Sequence, residues 1–376
     1  MRILHLSHNG LPDWRIEKSA MTACKNGHEA FFAGQKPQEG YKSSTFSKIR
    51  EVNWMVGLKI DNVSIAMLGI PYYWDLIKKQ VKRVVEELRP DIIHAHNIYS
   101  AKMASELRLP FIYDDHEYWS KHTALIRRRR KKSASLKNLA KKLGRYYVAR
   151  LYPTWENEIV SSVPVITVSQ EIINDFNKMY HSKCLFLVPN YPTLNEVRDF
   201  QGPHEQSELV SIYAGADNLD DMTPHRNIHG FPELFELNDV GNLVMIGPKG
   251  HPSPRVSYTG FLKRDEMYSE MAGASIGILP WSSHWFHKYS NPNKAYEYAH
   301  AGLFVMCTSS FASVSNTLRE NCATFDDYGQ LAAQLGGMKN DMDELYNKRL
   351  KIFEFARSKL TWENNEKNIL AAYQAC

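Results

Sequence analysis

The sequence has no long hydrophobic run and few cysteines, and these absences exclude several protein classes. None of its 376 residues lies in a stretch close to the roughly 18 apolar residues of a membrane-spanning helix. The five cysteines are scattered without a Cys-x-x-Cys pair, which excludes a zinc ribbon and a disulfide scaffold and fits a reducing compartment. Polar residues 7–10 break the apolar N-terminus early, so we expect no secretory signal. We therefore expect a cytoplasmic protein.

Acidic residues are absent from residues 121–150, a segment that contains twelve Lys or Arg. The whole chain has a formal net charge of +5, so the remainder stands at −7. A uniformly basic nucleic-acid-binding protein would not have this distribution. With 43% hydrophobic and 23% charged residues, the chain has the composition of a globular protein rather than of a disordered polyelectrolyte.

Short apolar segments alternate with helical patterns, which is typical of α/β folds with parallel sheets. The predicted strands lie at residues 3–6, 30–33, 91–96, 111–113, 165–168, 209–213, 243–246, 256–258, 276–279 and 304–307. A proline-rich break near residue 190 and the polar run 195–208 predict a boundary between two Rossmann-like halves, 1–194 and 195–360. Ligands of open parallel sheets bind beyond the carboxyl ends of the strands, so we predict a cleft between the halves.

The strongest local pattern is Ser-Asn-Pro-Asn-Lys-Ala-Tyr-Glu-Tyr-Ala-His-Ala-Gly at residues 290–302. Its Asn/Pro start opens a helix that Gly302 can end. Helix N-termini bind anions, whereas a lysine in the first turn, here Lys294, opposes the helix dipole. The pattern therefore indicates an anion site. The alternative is an ordinary amphipathic helix with a solvated lysine.

This segment resembles the Pro-x-Lys-x-x-Glu-Tyr-x-x-Ala-Gly motif of glycosyltransferase family 4, whose members have the GT-B fold. Further segments resemble family motifs in the same order, at residues 11–20 with 26–30 (Leu-Pro-Asp-Trp-Arg and Asn-Gly-His-Glu-Ala), 91–97 (Asp-Ile-Ile-His-Ala-His-Asn), 111–117 (Phe-Ile-Tyr-Asp-Asp-His-Glu), 188–192 (Val-Pro-Asn-Tyr-Pro) and 256–262 (Val-Ser-Tyr-Thr-Gly-Phe-Leu). The resemblance runs from residue 1 to about 370. It implies two Rossmann-like domains facing across a cleft, with residues 361–376 crossing back to the first.

The resemblance implies a hexosyltransferase that moves a sugar from a nucleoside diphosphate sugar to a hydroxyl of a glycan or lipid-linked acceptor, with retention of configuration. Such an enzyme would act in polysaccharide or glycolipid biosynthesis. Two alternatives are a sugar-nucleotide epimerase of the same fold and a non-catalytic, membrane-recruited partner of another transferase. The sequence leaves open the donor sugar and base, the acceptor, the linkage and the oligomeric state.

The family motifs assign roles to individual residues. Lys294 and Arg226 would neutralise the donor diphosphate, and His116 would contact the donor sugar, so these three are the predicted catalytic residues. The predicted substrate-binding residues are Asn9, Gly10, Arg15, His96, Gly215, Gly260, Phe261, Leu262, Asn291, Pro292, Asn293 and Glu297. Glu297 would bind the ribose. The alternatives are a surface arginine at 226, an exposed helix glutamate at 297 and a structural histidine at 116.

One position departs from the family. Many members have a second glutamate eight residues before the one matched by Glu297, and Tyr289 stands there in this chain. The donor sugar therefore cannot be inferred from that position.

No cofactor and no metal ion are expected, because the basic pair would take the place of a metal. His94 and His96 share one face of a strand, but the sequence shows no third ligand. Asp341 and Asp343 resemble the Asp-x-Asp metal motif of another glycosyltransferase fold, and we interpret the match as chance.

The basic segment 121–150 contains six consecutive Lys or Arg residues at 127–132, followed by Leu136, Leu139 and Leu143 at helical spacing. Such a basic amphipathic helix predicts peripheral attachment to an anionic membrane, at the inner face of the cell membrane. The alternatives are a solvated loop and an RNA-binding patch, and we expect no nucleic acid partner.

Overall fold

The computed structural model divides the chain into two compact units. The first unit comprises Met1–Pro189 and Asn365–Cys376, and the second comprises Asn190–Asn364. The structure describes residues 1–57, 59–60, 63–64, 69–127, 136–182, 184–215 and 224–376. No helix in these ranges is long and apolar enough to cross a membrane.

The first unit is built on a parallel sheet that has seven strands within the described ranges. The strands are β1 (Arg2–Ser7), β2 (Glu29–Gly34), β3 (Lys48–Glu51), β6 (Ile92–His96), β7 (Phe111–Asp115), β8 (Val165–Thr167) and β9 (Leu185–Leu187), and a separate antiparallel pair consists of β4 (Lys59–Ile60) and β5 (Val63–Ser64). Their order in the sheet is β3-β2-β1-β6-β7-β8-β9. The central strands β1, β6 and β7 are almost fully buried, as continuous apolar segments of parallel sheets usually are.

Helices of the first unit connect these strands. They are α1 (Trp14–Lys25), α2 (Pro71–Leu88), α3 (Asn97–Ser105), α4 (Trp119–Arg127), α5 (Leu136–Val160), α6 (Gln170–Tyr180) and α13 (Glu366–Gln374). Asp13 caps α1 by accepting hydrogen bonds from the backbone N–H groups of Arg15 and Ile16. Glu366, at the start of α13, accepts hydrogen bonds from Thr22 and Lys25. Residues 365–376 thus belong to the first unit.

The second unit contains a parallel sheet of six strands within the described residues. They are β10 (Val210–Ala214), β11 (Asn242–Ile246), β12 (Val256–Gly260), β13 (Ile276–Leu279), β14 (Phe304–Thr308) and β15 (Cys322–Phe325), in the order β12-β11-β10-β13-β14-β15. The helices are α7 (Phe231–Leu237), α8 (Arg264–Ala272), α9 (Asn293–His300), α10 (Ala312–Leu318), α11 (Tyr328–Asn340) and α12 (Met342–Lys359). The direction of strand addition reverses between β10 and β13, which is where such sheets bind ligands.

Close packing of α9 on the sheet fixes the position of this helix. A Cβ atom at Gly277, in β13, would collide with the ring of Tyr298 in α9. The Tyr298 hydroxyl accepts a hydrogen bond from the backbone N–H of Ala214, at the end of β10, at 2.8 Å. One helical turn earlier, Lys294 is thereby held near the end of β10.

Candidate functional site

The first candidate site lies in the second unit, where β10 and β13 end and α9 begins. The Nζ atom of Lys294 lies 4.6 Å from the ring centroid of Tyr213 and 5.0 Å from that of Trp281. The Cζ atom of Arg226 lies 5.5 Å from the same Trp281 ring. Both predicted cations therefore contact one indole, which brings them together although 67 residues separate them in the sequence. Each contact is a cation–π interaction.

Gly215 leaves space for the Tyr213 hydroxyl and the Lys294 ammonium. A Cβ atom at this position would lie 2.7 Å from Lys294 Nζ and would also collide with the Tyr213 hydroxyl. That hydroxyl accepts a hydrogen bond from Trp281 Nε1 at 3.1 Å. Residues 216–223, which follow Gly215, lie outside the described ranges. The predicted glycine thus belongs to the same cluster as the predicted lysine.

The start of α9 is held by Asn291. Its Oδ1 accepts a hydrogen bond from the backbone N–H of Asn190 at 2.8 Å, and its Nδ2 donates one to the Tyr296 hydroxyl at 2.6 Å. Pro292 is the N-cap residue, and no side chain among the described residues caps the helix there. The N–H groups of the first turn, from Asn293 onward, are consequently suited to an anion.

Glu297 is a buried carboxylate held by two partners. Its Oε1 accepts hydrogen bonds from Arg264 Nη2 at 2.9 Å and from the Tyr268 hydroxyl at 3.2 Å. Only 10% of its side chain is exposed, so the alternative of an exposed helix glutamate is wrong. Sequence analysis missed Arg264 and Tyr268, although their i, i+4 spacing on a helix places them on one face.

Three further predicted residues follow β12. Gly260 has a φ of +69°, which a glycine adopts without strain. Phe261 is 80% exposed, and Leu262 is half-buried. Strand β11 lies between β12 and β10 in the sheet, so these residues follow a strand that is not adjacent to the one that ends at Gly215. Contact with a nucleoside stays a prediction for all three.

Tyr289 is buried and offers no carboxylate at the position where many family members have one. A cavity of about 300 Å³ lies elsewhere in this unit, at the ends of β13, β14 and β15. Its lining includes Ser282, Thr308, Asp326, Asp327 and Tyr328. Two carboxylates make this cavity unsuited to a diphosphate, which favours the Lys294 cluster as the anion site.

The second candidate site is a cluster of buried polar residues in the first unit, formed by His5, His94, His96 and Asp114. Strands β1, β6 and β7 are neighbours, and their register pairs His5 with His94 and His96 with Asp114. All four side chains are fully buried. Buried polar groups need hydrogen-bond partners, and here they supply one another.

Asp114 is the acceptor at the centre of this cluster. Arg15 donates to it from Nε at 3.1 Å and from Nη2 at 2.7 Å, and donates from Nη1 to the Val188 carbonyl at 2.8 Å. Burial alone would raise the pKa of Asp114, but the Arg15 guanidinium holds it well below its usual value. Arg15 is itself buried, so the structure shows it holding Asp114, and its contact with substrate stays a prediction.

His96 and His116 belong to the same cluster. His96 Nδ1 lies 3.2 Å from His116 Nε2, and His96 Nε2 lies 3.0 Å from His5 Nδ1. The interpretation that His94 and His96 lack a third potential ligand is wrong: His5 joins them, and Asp114 and His116 form a second such group with His96. The sequence did not reveal this because the partners come from different strands.

Asn9 and Gly10 follow β1. The Asn9 backbone N–H donates to Ser7 Oγ at 3.0 Å. A Cβ atom at Gly10 would lie 2.7 Å from the carbonyl oxygen of Lys36, so packing of the backbone explains this glycine. A role of either residue in binding substrate stays a prediction.

The buried histidines should make the protein sensitive to acid. Burial lowers the pKa of His5, His94 and His96 below the ordinary value of 6.5. The unfolded chain therefore binds more protons, and the stability present above pH 6.5 is lost progressively as the pH falls toward the folded-state pKa values. Each group contributes up to about 1.4 kcal/mol per pH unit. We expect the free energy of unfolding, from urea titrations, to drop steeply between about pH 6.5 and 5.

Glu156 provides the control because its effect has the opposite sign. Burial raises the pKa of Glu156 from 4.5 to about 7, although Ser120 and Tyr180 donate hydrogen bonds to it. The stability that protonated Glu156 contributes is thus fully present below pH 4.5 and is lost as the pH rises through 7. Because this opposing change runs from about pH 4.5 to 7, Glu156→Gln should make the loss of stability between pH 6.5 and 5 steeper. A flat stability profile of Glu156→Gln over that range would contradict neutral buried histidines.

Comparison with known proteins identifies the fold. No family model matches the chain, and a search of curated proteins finds no match. Solved structures match over nearly the whole length. They include Anabaena HepE in complex with UDP-glucose (14% identity, 100% of each chain covered, TM-score 0.67) and WaaG, a glycosyltransferase involved in lipopolysaccharide biosynthesis (15%, 99% of each chain, 0.60). They also include a putative UDP-N-acetylglucosamine 2-epimerase from Listeria monocytogenes (9%, 99% of this chain and 95% of that chain, 0.60). The fold is GT-B.

The predicted GT-B fold, with two parallel-sheet α/β units, is thereby confirmed. Identities of 9–15% establish the fold alone. Membership of glycosyltransferase family 4 stays a prediction, and the roles of the predicted residues have to be argued from the site itself.

Proposed function

We propose that this GT-B chain is a glycosyltransferase that uses a nucleoside diphosphate sugar as donor. The observation that carries the proposal is that Lys294 and Arg226 both contact the Trp281 ring, beside the start of α9. Two cations and a helix N-terminus together suit a diphosphate. The complex of HepE with UDP-glucose makes UDP-sugars the first donors to test.

We assign the donor to the second unit and the acceptor to the first. The diphosphate would accept hydrogen bonds from the first turn of α9 and ion pairs from Lys294 and Arg226. Ribose hydroxyls would donate to Glu297, whose orientation Arg264 fixes. His116, in the first unit, would contact the donor sugar.

The proposed reaction is transfer with retention to a hydroxyl of a glycan or lipid-linked acceptor. The bond between the anomeric carbon and the diphosphate oxygen breaks, and the acceptor oxygen bonds to the same face of that carbon. The leaving phosphate oxygen takes the acceptor proton. Lys294 and Arg226 stabilise the charge that develops on the diphosphate, so we propose that turnover needs no metal ion.

Donor binding and donor hydrolysis together test this function. Each of a set of UDP- and GDP-sugars is first screened for an increase in melting temperature, since a ligand at 100 times its Kd stabilises the folded state by about 2.7 kcal/mol. Hits are then incubated with excess EDTA and no acceptor, and slow release of free sugar and nucleoside diphosphate is expected. Failure of every nucleotide sugar to bind would contradict the proposal and favour a non-catalytic partner of another transferase.

A sugar-nucleotide epimerase is the second candidate, because one solved structure that shares the fold is a putative epimerase. The same incubation separates the two functions. An epimerase converts the nucleotide sugar into its epimer without releasing the nucleotide, whereas a transferase releases it. The tyrosine at position 289 favours the transferase, because it removes a carboxylate that proton transfer at the sugar could use.

We also propose that residues 121–150 attach the protein to the inner face of the cell membrane. The described parts are the end of α4 at Arg127 and α5 from Leu136, while residues 128–135 lie outside the described ranges. The support is the charge of this segment, twelve Lys or Arg and no acidic residue. A lipid-linked acceptor would be reached at that surface.

We expect the protein to sediment with anionic vesicles and not with neutral ones. Each Lys or Arg near an anionic surface contributes about 1 kcal/mol at most, and salt weakens the attraction. Replacing the arginines at 127–130 with serine should weaken sedimentation but leave donor hydrolysis unchanged. A protein that stays in the supernatant at moderate salt fits the solvated loop instead, and steeply salt-dependent RNA binding fits the RNA patch.

A further inference from the structure

Three histidines form a hydrogen-bonded chain from the interior of the first unit to a partly exposed side chain. His5 Nδ1 lies 3.0 Å from His96 Nε2, and His96 Nδ1 lies 3.2 Å from His116 Nε2. His5 and His96 are fully buried, whereas 13% of the His116 side chain is exposed. No described residue hydrogen-bonds His116 Nδ1, which leaves that nitrogen to a ligand.

A shared proton explains this geometry better than a metal ion does. His96 Nδ1, His116 Nε2 and Asp114 Oδ2 lie 3.2–3.5 Å apart, a spacing that four-coordinate zinc also allows. However, Arg15 already pairs with the Asp114 carboxylate and cancels its charge. A buried divalent ion would then stand among neutral histidines with its charge uncompensated, which is costly. Hydrogen bonds between neutral histidine rings satisfy the same nitrogen atoms without adding charge.

The hydrogens in this chain have two consistent arrangements. A neutral imidazole has one donor nitrogen and one acceptor nitrogen. Either all three Nδ1 atoms carry the hydrogen and each donates outward to the next ring, or all three Nε2 atoms carry it and each donates inward. The second arrangement places an N–H at His5 Nε2, which is buried and has no hydrogen-bond partner among the described residues.

The unpaired nitrogen of His5 selects the first arrangement. A buried N–H without an acceptor is rarer in proteins than a buried acceptor without a donor. His96 Nδ1 and His116 Nε2 lie equally far, 3.5 Å, from Asp114 Oδ2, so this carboxylate does not distinguish the two arrangements. The unpaired nitrogen of His5 therefore decides in favour of Nδ1–H along the whole chain.

We propose that His5 and His96 hold His116 as its Nδ1–H tautomer, so that His116 offers a ligand a hydrogen-bond donor rather than a base. His5 and His96 are positioning residues in this scheme. The tautomer is a property of the free protein, whereas the identity of the acceptor, a sugar oxygen of the donor, rests on the proposed function. A donor at this position agrees with the leaving phosphate as the base.

His94 has the opposite tautomer and serves as an internal reference. Its Nε2 lies 3.3 Å from Asp114 Oδ2, and because an ionised carboxylate only accepts, this Nε2 carries the hydrogen. Its Nδ1 then accepts from the Tyr373 hydroxyl at 2.8 Å. The structure thus predicts Nδ1–H for three histidines and Nε2–H for the fourth.

Long-range ¹H–¹⁵N spectra of the full chain, labelled at its histidine ring nitrogens, read these tautomers directly. At about pH 7.5 we expect His116 to show a protonated Nδ1 and an unprotonated Nε2. In His96→Phe, the Asp114 carboxylate is the remaining neighbour of His116 Nε2, and we expect the tautomer to switch to Nε2–H. His94→Phe is the matched control, on the same strand face and equally buried, and should leave His116 unchanged.

Several results would overturn the proposal. They are an Nε2–H tautomer or a charged ring at His116 in the unmodified protein, an unchanged His116 tautomer in His96→Phe, and stoichiometric Zn²⁺ binding that shifts the His96 and His116 signals together. If His96→Phe does not fold, the four tautomers of the unmodified protein still decide. Once turnover is established, His116→Asn should hydrolyse the nucleotide sugar at least about tenfold faster than His116→Asp, because only asparagine keeps an N–H that can donate a hydrogen bond. Absence of all turnover would refute the proposed function and leave the tautomer result standing.

Discussion

Replacing Lys294 with alanine is expected to reduce donor turnover by about 10²–10³-fold, the usual effect of removing one electrostatic contact to a developing negative charge. Lys294 Nζ contacts both the Tyr213 and the Trp281 ring, and these contacts favour its position before the donor binds. The loss should therefore fall mainly on kcat, because the charge on the leaving diphosphate is largest in the transition state. Steady-state kinetics of donor hydrolysis measure it.

Lys288→Ala is the control for Lys294→Ala. Lys288 is exposed, lies six residues earlier and also stacks on an aromatic ring, that of Tyr289 at 4.6 Å. It should retain near-normal turnover. Gly215→Ala tests the same site independently, since the added Cβ would lie 2.7 Å from Lys294 Nζ and force it to move. Full activity in both Lys294→Ala and Gly215→Ala would remove the diphosphate from this cluster.

Local sequence patterns predicted the elements of the fold well because the central strands are apolar and end at recognisable breaks. Residues 91–96 were predicted as a strand, and β6 spans Ile92–His96. The Asn/Pro start before Lys294 was predicted to open a helix, and α9 begins at Asn293. In both segments, burial of a continuous apolar face agrees with the local propensity.

Side-chain partners from distant segments could not be predicted. Glu297 was identified from its match to the family motif, but its pairing with Arg264 depends on how α8 and α9 pack against the second sheet. The histidine cluster depends on strand order: β1 neighbours β6 although more than 80 residues separate them in the sequence, so His5 gave no sign of lying beside His96. Periodicity determines which face a residue occupies, and register determines what it meets there.

Arg15→Met is expected to be strongly destabilising. Arg15 and Asp114 form a buried ion pair with an Nη2–Oδ1 distance of 2.7 Å, and their side chains are 7% and 1% exposed. Removing one member of such a pair leaves an uncompensated buried charge, which costs about 3–5 kcal/mol. The loss should appear as a lower urea midpoint. It should be smaller in acid, measured relative to the unmodified protein at the same pH, because the unpaired Asp114 can then take up a proton.

Two further variants decide whether the unpaired charge causes that loss. Arg50 donates through Nε and Nη2 to the Glu87 carboxylate, as Arg15 does to Asp114, but this pair is exposed. The urea midpoint of Arg50→Met should therefore hardly change. Adding Asp114→Asn to Arg15→Met removes the buried charge and should recover a large part of the stability. If the double variant is no more stable than Arg15→Met, the loss comes from packing around Arg15, and the buried ion pair is not what holds β7 against α1.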